Sequence, residues 1–261
     1  MENRSEKRKV LSFRNGEAWE EERAVVRETP LTIYVNDQEL ITLLTIGDAN
    51  RELAVGFLLS EGFLKNRDGL VSIRVDDAAG EVHVQISGDL SSVEKLWGKR
   101  TVTSGCGKGA TFYHVLDSLQ ARPATSGVAV SASQIHALMG ELNRMSELYR
   151  ETGGVHNCAL GNTERILIFR DDIGRHNAVD KIRGACFLED IPPEDKVLLT
   201  TGRISSEMTV KTAKMGVSVL ISRSAPTSLA LDLAGRVGLT VVGYVRGGGM
   251  TVYTGKERIT D

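Results

Sequence analysis

Four arginines stand in matching settings. Arg175, Arg203, Arg223 and Arg246 each follow a strand-like apolar run and each sit among glycine or hydroxyl residues. The segments read Asp171-Asp172-Ile173-Gly174-Arg175-His176-Asn177, Thr201-Gly202-Arg203-Ile204-Ser205-Ser206-Glu207, Ser222-Arg223-Ser224-Ala225-Pro226-Thr227 and Arg246-Gly247-Gly248-Gly249. Ligands of open α/β sheets sit beyond the carboxyl ends of the strands. If these strands are parallel neighbours, four guanidinium groups converge on one rim and repel one another unless an anion joins them. The planar guanidinium fork suits bidentate phosphate binding. Glycine lets backbone N–H groups approach an anion, and helix starts at Ser205 and Thr227 add donors. Asp171 and Asp172 offer acceptors to a base or ribose. The implied ligand is phosphate-rich and nucleotide-containing; the plainer alternative makes each arginine an ordinary surface or ion-paired side chain.

Histidine and cysteine add candidates. His176, between Arg175 and Asn177, can donate to phosphate, act as a proton donor, or tie its loop down. His156 follows Gly153-Gly154 and is either a pocket residue or a satisfied core histidine, whereas His83, His114 and His136 read as structural or exposed. Of three cysteines, Cys158 lies in an apolar strand and Cys186 on the inner face of a helix, where cysteine behaves as a small hydrophobe. Cys106 lies in Thr103-Ser104-Gly105-Cys106-Gly107-Lys108-Gly109, between glycines and two residues from a lysine, a setting that favours thiolate. Composition alone leaves a reactive and an ordinary loop thiol both open.

The elements that must position these groups follow from pattern. Strand signals at 155–160, 165–169, 196–200, 217–221 and 239–245 alternate with helix signals at 177–188, 205–214 and 227–237. Such alternation predicts an α/β fold, a mixed sheet with helices on both faces. Ser131-Ala132-Ser133-Gln134 has capping-box spacing and opens an amphipathic helix reaching about Arg150, its stripe marked by Ile135, Leu138, Leu142, Met145 and Leu148. Earlier, residues 31–35 and 40–46 flank Asn36-Asp37 as a hairpin, and Asp48 is a candidate cap for a helix at 51–60 closed by Gly62. The expected division is a polar, flexible leader at 1–22, a smaller β-rich domain at 23–100, and the α/β domain at 101–261 that carries the Cys106 loop.

Bulk composition narrows the function classes. The chain has 261 residues, with 32 Lys+Arg against 34 Asp+Glu, a net charge of −2. Near-neutral balance argues against a nucleic-acid coat, which needs a basic surface. Three scattered cysteines are too few for a disulfide framework or a four-thiolate zinc site, and the protein's own side chains give no support for metal binding. No apolar run approaches the roughly 20 residues of a membrane span, and the charged N-terminus lacks the apolar core of a secretory signal. The expected location is therefore the cytoplasm, with no membrane partner. There is no Walker loop, no dinucleotide fingerprint at Gly247-Gly248-Gly249, no nucleophile elbow at Ser224 and no zinc-deaminase signature.

The run Asp172-Ile173-Gly174-Arg175-His176-Asn177-Ala178-Val179-Asp180-Lys181 closely resembles the signature of the formate dehydrogenase accessory sulfurtransferase family, FdhD. Support comes from Glu52-Leu53-Ala54-Val55-Gly56-Phe57-Leu58-Leu59-Ser60-Glu61-Gly62, Thr152-Gly153-Gly154-Val155-His156 and Gly202-Arg203-Ile204-Ser205-Ser206-Glu207-Met208. The Ser222–Thr227 and Arg246-Gly247 segments also match, so the resemblance spans about residues 25–255.

What the resemblance implies is specific. The main domain would be similar to the cytidine deaminase fold without its zinc. A loop cysteine would take persulfide sulfur from a cysteine desulfurase. It would pass that sulfur to the metal of a bis-molybdopterin guanine dinucleotide cofactor bound as substrate, as formate dehydrogenase requires, with a guanine nucleotide as a partial mimic. By matching positions, Cys106 would carry sulfur. Asp172, Arg175, His176, Asn177, Lys181, Arg203, Ser205, Glu207, Arg223, Ser224, Arg246 and Gly247 would form the cofactor site. Partners would be the desulfurase, the formate dehydrogenase catalytic subunit and a second copy in a homodimer. Many members carry Cys-x-x-Cys in the loop, whereas this chain reads Cys106-Gly107-Lys108-Gly109. A single thiol still suffices for persulfide carriage. Its solitude leaves open an alternative, a cofactor-binding chaperone that protects and delivers the molybdopterin without sulfur transfer.

Overall fold

The computed structural model describes residues 4–87, 101–102, 108–109 and 127–261. The charged N-terminus, expected as a flexible leader, instead forms an antiparallel ribbon of β1 (Ser5–Arg14) and β2 (Glu17–Val26). Charge density suggested disorder, but Asn15-Gly16 was the overriding signal. Their φ values of 53° and 88° make the two-residue turn that matches strand twist. Basic β1 lies against acidic β2, with Lys9 opposite Glu22 and Leu11 opposite Glu20.

Next comes a four-stranded sheet of order β4-β3-β6-β5, built from β3 (Thr29–Val35), β4 (Gln38–Thr45), β5 (Leu70–Asp76) and β6 (Glu81–Ile86). Asn36 and Asp37 turn the β3–β4 hairpin with φ of 48° and 65°. Helix α1 (Asn50–Glu61) packs Leu53, Phe57 and Leu58 on Leu31, Ile33, Val82 and Val84. Ala49, not Asp48, occupies its N-cap position, and Gly62 ends it in the left-handed region. Two further short strands, β7 (Thr101–Val102) and β8 (Lys108–Gly109), pair antiparallel.

The larger unit centres on a six-stranded sheet of order β11-β10-β12-β13-β14-β15. Its strands are β10 (His156–Gly161), β11 (Ile166–Asp172), β12 (Val197–Thr200), β13 (Val219–Ser222), β14 (Thr240–Arg246) and β15 (Gly249–Thr254). β12, β13 and β14 are parallel, while β10 is antiparallel to both β11 and β12. β11 therefore runs in the same direction as the three parallel strands. Helix α2 (Ala132–Met145) buries Ile135, Leu138 and Leu142 on one face of the sheet. Helices α4 (Arg175–Leu188), α5 (Ser206–Lys214) and α6 (Ser228–Val237) cover the other. The mixed sheet with helices on both faces is the architecture expected from the strand–helix alternation. A short parallel ladder joins β9 (Val130–Ser131) to β16 (Ile259–Thr260) near the chain end.

Local chemistry explains the helix starts. Ser131 Oγ accepts from Gln134 N–H at 3.1 Å, and Gln134 Oε1 accepts from Ser131 N–H at 2.8 Å, completing the capping box. Ser205 and Thr227 cap α5 and α6 in the same sense. The helix expected to reach Arg150 breaks at Ser146, which caps a separate α3 (Glu147–Thr152). Its hydroxyl donates to Asp171 at 2.8 Å, so a buried acceptor on the sheet wins over helix continuity. Met145, expected inside, is consequently 40% exposed.

The two units meet where α1 crosses α4. A Cβ at Gly56 would stand 1.7 Å from Asp180 O, and one at Gly184 would stand 1.9 Å from Glu52 O. Only glycine permits that backbone approach, which also carries Phe187 and Leu188 into the core of the smaller sheet. No helix among the described residues is long and apolar enough to cross a membrane.

Candidate functional site

Because β11, β12, β13 and β14 run one way, their carboxyl ends share a rim, and antiparallel β10 begins there with His156. Arg175 opens α4 just beyond β11, Arg203 follows β12, Arg223 follows β13 and Arg246 ends β14. A cleft of 530 Å³ opens at this edge, lined by His156, Thr201, Arg223, Ser224, Tyr244 and Arg246 together with Tyr149 and Gly153-Gly154. Arg175 packs on Gly202, where a Cβ would come within 3.0 Å of the arginine and 3.4 Å of His156 Nδ1. The glycine thus lets Arg175 and His156 share one corner.

The rim loops are laced to one another. Gly202 N–H donates to Thr200 Oγ1 at 3.1 Å, and Ser222 Oγ donates to Gly202 O at 2.7 Å. Arg223 N–H reaches Thr200 O at 3.1 Å, and Ile204 N–H reaches Ala225 O at 3.0 Å. Ser224 N–H donates to Ser222 Oγ at 2.9 Å. These bonds hold the arginine-bearing turns in place before any ligand arrives, which lowers the ordering cost of binding.

Burial sets the titration of the two histidines, and nearby cations add to it. Burial pushes His156 below its ordinary range, and the charges of Arg175, His176 and Arg203 push it further, with Asp172 opposing. His176 is lowered by burial first; Glu207, whose Oε2 lies 3.0 Å from Nε2, works against that, while Lys211 and Arg175 reinforce it. Both rings therefore take up a proton less readily in the folded protein than free imidazole does near pH 6.5. The unfolded chain then binds more protons, so stability falls as pH drops through that range. Denaturant midpoints at pH 7 and 5.5 should show a fall that His156→Gln reduces. An equal fall in the variant contradicts the assignment.

Two expected site residues, Asp172 and Lys181, are fully buried, and half-buried Asn177 is bonded to Asp172. Lys181 is fully buried, its Nζ 2.6 Å from Asp48 Oδ1, 2.8 Å from Asp172 Oδ2 and 3.0 Å from Asp171 O. Asp172 Oδ1 accepts from Gly174 N–H at 3.1 Å and Asn177 Nδ2 at 2.9 Å, while Asn177 also reaches Leu44 O at 2.9 Å. Asp172, Asn177 and Lys181 thereby brace the β11–α4 turn from beneath. Arg4 adds a contact from the ribbon side, 2.7 Å from Asp48 Oδ2.

A model of the FdhD/NarQ family matches residues 26–260. This chain belongs to that family. It is 42% identical over 255 residues to a protein of Bacillus pumilus named sulfur carrier protein FdhD, covering 98% of this chain and 97% of the relative. It is 41% identical to the protein of the same name from Staphylococcus aureus strain MRSA252, covering 97% and 95% respectively. Its fold is similar to a crystal structure described as a formate dehydrogenase accessory protein from Desulfotalea psychrophila. That likeness has a TM-score of 0.81, 28% identity and coverage of 99% of this chain and 100% of the other.

Of the residues expected of an FdhD/NarQ member, Arg223, Ser224 and Arg246 line the cleft, while Arg175 and Arg203 stand beside it near His156. His176 and Glu207 pair beside it. Ser205 caps α5, accepting from Met208 N–H at 3.4 Å. Gly247 is a turn residue: Gly247-Gly248, with φ of 57° and 77°, link β14 to β15, a strand the sequence reading missed. His156, which the sequence offers as either a pocket or a core histidine, lines the cleft, as Gly153-Gly154 before it signals. Tyr149 and Tyr244 carried none. Cys106 lies outside the described residues. Cys158 and Cys186 are buried; burial pushes the first thiol far up and the second up to about 12, so neither is a nucleophile at neutral pH.

Proposed function

We propose that this chain is a sulfur carrier for the maturation of formate dehydrogenase, working through Cys106 and a bis-molybdopterin guanine dinucleotide held at the arginine rim. The observation that carries the reading is the placement of Arg175, Arg203, Arg223 and Arg246 just beyond the carboxyl ends of four like-directed strands of one sheet, with Arg223 and Arg246 lining the cleft. Like charges gathered along one edge raise the local positive potential, and a dinucleotide with several phosphates matches it. The names borne by the relatives from Bacillus pumilus and Staphylococcus aureus support sulfur carriage, and that of the Desulfotalea psychrophila structure supports the link to formate dehydrogenase. The six-stranded mixed sheet is in keeping with a cytidine deaminase-like scaffold.

In this mechanism the Cys106 thiolate attacks the outer sulfur of the persulfide on a cysteine desulfurase. A new S–S bond forms at Cys106, the donor S–S bond breaks, and the donor cysteine leaves as thiolate. Lys108, two residues away in sequence, favours the anionic sulfur by local charge. Arg223 and Arg246 hold phosphate in the cleft, with Arg175 and Arg203 beside them and His156 at the corner. When the cofactor is bound, its metal would take up the outer sulfur for the formate dehydrogenase catalytic subunit, in the cytoplasm: the S–S bond at Cys106 would break, Cys106 would leave as thiolate, and the reduced metal would supply the two electrons that bring sulfane sulfur to sulfide. A homodimer would offer two such sites.

The single loop thiol favours one rival, a chaperone that binds and protects the cofactor without touching sulfur. Intact-protein and peptide mass spectrometry after incubation with a cysteine desulfurase and cysteine separates the two. One added sulfur atom on the Cys106 peptide is expected. An unchanged mass, with the desulfurase shown to be active, overturns sulfur carriage and leaves the chaperone.

A further inference from the structure

Tyr244 occupies a backbone conformation that a tyrosine rarely adopts. Its φ is +54°, in the left-handed region where a bulky side chain is strained. The cause is a bulge in β14. Gly243 pairs with Thr251 and Arg246 with Gly249, so Tyr244 and Val245 together oppose Met250 alone. In the type of bulge whose first residue is left-handed, that position belongs to glycine. The bulge shifts the strand's alternation by one: Val242 and Val245 both enter the core beside α2, and Tyr244 is thrown out of it.

The expelled ring lines the cleft. It is 39% exposed, and the Arg246 guanidinium lies 5.2 Å from its centroid. Its amide donates to Ser224 O at 3.1 Å, which fixes the backbone beside Arg223. Tyr149, the other tyrosine there, packs with Ile46, Leu148 and Val155, whereas Tyr244 joins none of the hydrophobic clusters among the described residues. A ring held at a cost in strain, without core packing to repay it, marks a functional position.

We propose that Tyr244 is the platform on which the planar heteroaromatic base of a nucleotide stacks while Arg223 and Arg246 hold its phosphates. This rests on the phosphate-binding role given to the rim above, and adds the base-contacting residue. Stacking on an aromatic ring tolerates any base because every base presents a π-face. Arg246 extends the same platform through its packing on the tyrosine.

Calorimetry of the full chain with GDP and with inorganic pyrophosphate tests the assignment. Tyr244→Gly should weaken GDP binding about tenfold or more and leave pyrophosphate affinity within about twofold, while Tyr244→Trp keeps GDP affinity. Tyr244→Asn, which tolerates the left-handed region, should behave as the glycine variant does and guards against the extra chain freedom of glycine. Relief of strain should also raise the melting temperature of unliganded Tyr244→Gly, by about 2–4 °C, the opposite of what removing a packing residue does. If the unchanged protein binds neither GDP nor pyrophosphate, the phosphate role fails and the platform with it. If it binds both but Tyr244→Gly and Tyr244→Asn keep full GDP affinity, the platform alone is overturned. Equal loss of both ligands with a lowered melting temperature makes Tyr244 structural and likewise overturns it.

Discussion

Replacing Lys181 with methionine is expected to cost about 3–5 kcal/mol of folding stability, read as a fall in the urea midpoint. The magnitude follows from where the charges lie. Lys181 and Asp172 both have side chains with no solvent exposure, so neither is rescued by water. Methionine fills much the same space but leaves Asp172 with only its neutral donors, Gly174 N–H and Asn177 Nδ2. An uncompensated carboxylate in that setting costs far more than the intact pair contributes. Asp48 is the cheaper partner: its side chain is 36% exposed and it also meets Arg4. Asp48→Ala should therefore cost less than half as much. The double variant Lys181→Met/Asp172→Asn should recover most of the loss, because it removes the orphaned charge. A Lys181→Met midpoint within error of the unchanged protein would show that the buried ion pair is not what secures this turn.

Signals carried by a few adjacent residues were legible: the Ser131–Gln134 capping box, the Asn36-Asp37 hairpin and the caps at Ser205 and Thr227. The shared rim was legible too, because strand–helix alternation fixes where each strand ends. Orientation was not. Asp172, Asn177 and Lys181 belong to the same motif as Arg175, which packs on Gly202 at the rim, yet only packing decides which of these polar side chains is buried. Lys181 reaches Asp48, which lies 133 residues earlier, and no local pattern announces such a partner. The Ser146 break has the same origin, since its acceptor sits on another element. Tyr244 was invisible because a bulge changes the period of a strand without any mark in composition. The ribbon at 5–26 is a different case: Asn15-Gly16 was plain, but dense charge drew the reading toward disorder.

Cys106→Ser is expected to reduce activation of formate dehydrogenase to background while leaving GDP binding at the rim unchanged. Serine is nearly the same size, so nothing is lost in shape. What is lost is a group that ionises readily and attacks a sulfane sulfur, since thiolate and not thiol or hydroxyl is the competent nucleophile. No other cysteine can take over. The chain has only Cys106, Cys158 and Cys186, and the last two are buried with thiols pushed well above the ordinary range. Relay between two loop cysteines is likewise closed to Cys106-Gly107-Lys108-Gly109. Cys186→Ala is the matched control and should activate normally, because it removes a thiol that does not ionise near neutral pH. The measurement is formate oxidation by a co-expressed formate dehydrogenase in cells lacking the natural carrier. Full activation by Cys106→Ser would remove sulfur chemistry from this protein and leave cofactor binding as its function; lost activation together with lost GDP binding would instead place Cys106 in the architecture of the cleft.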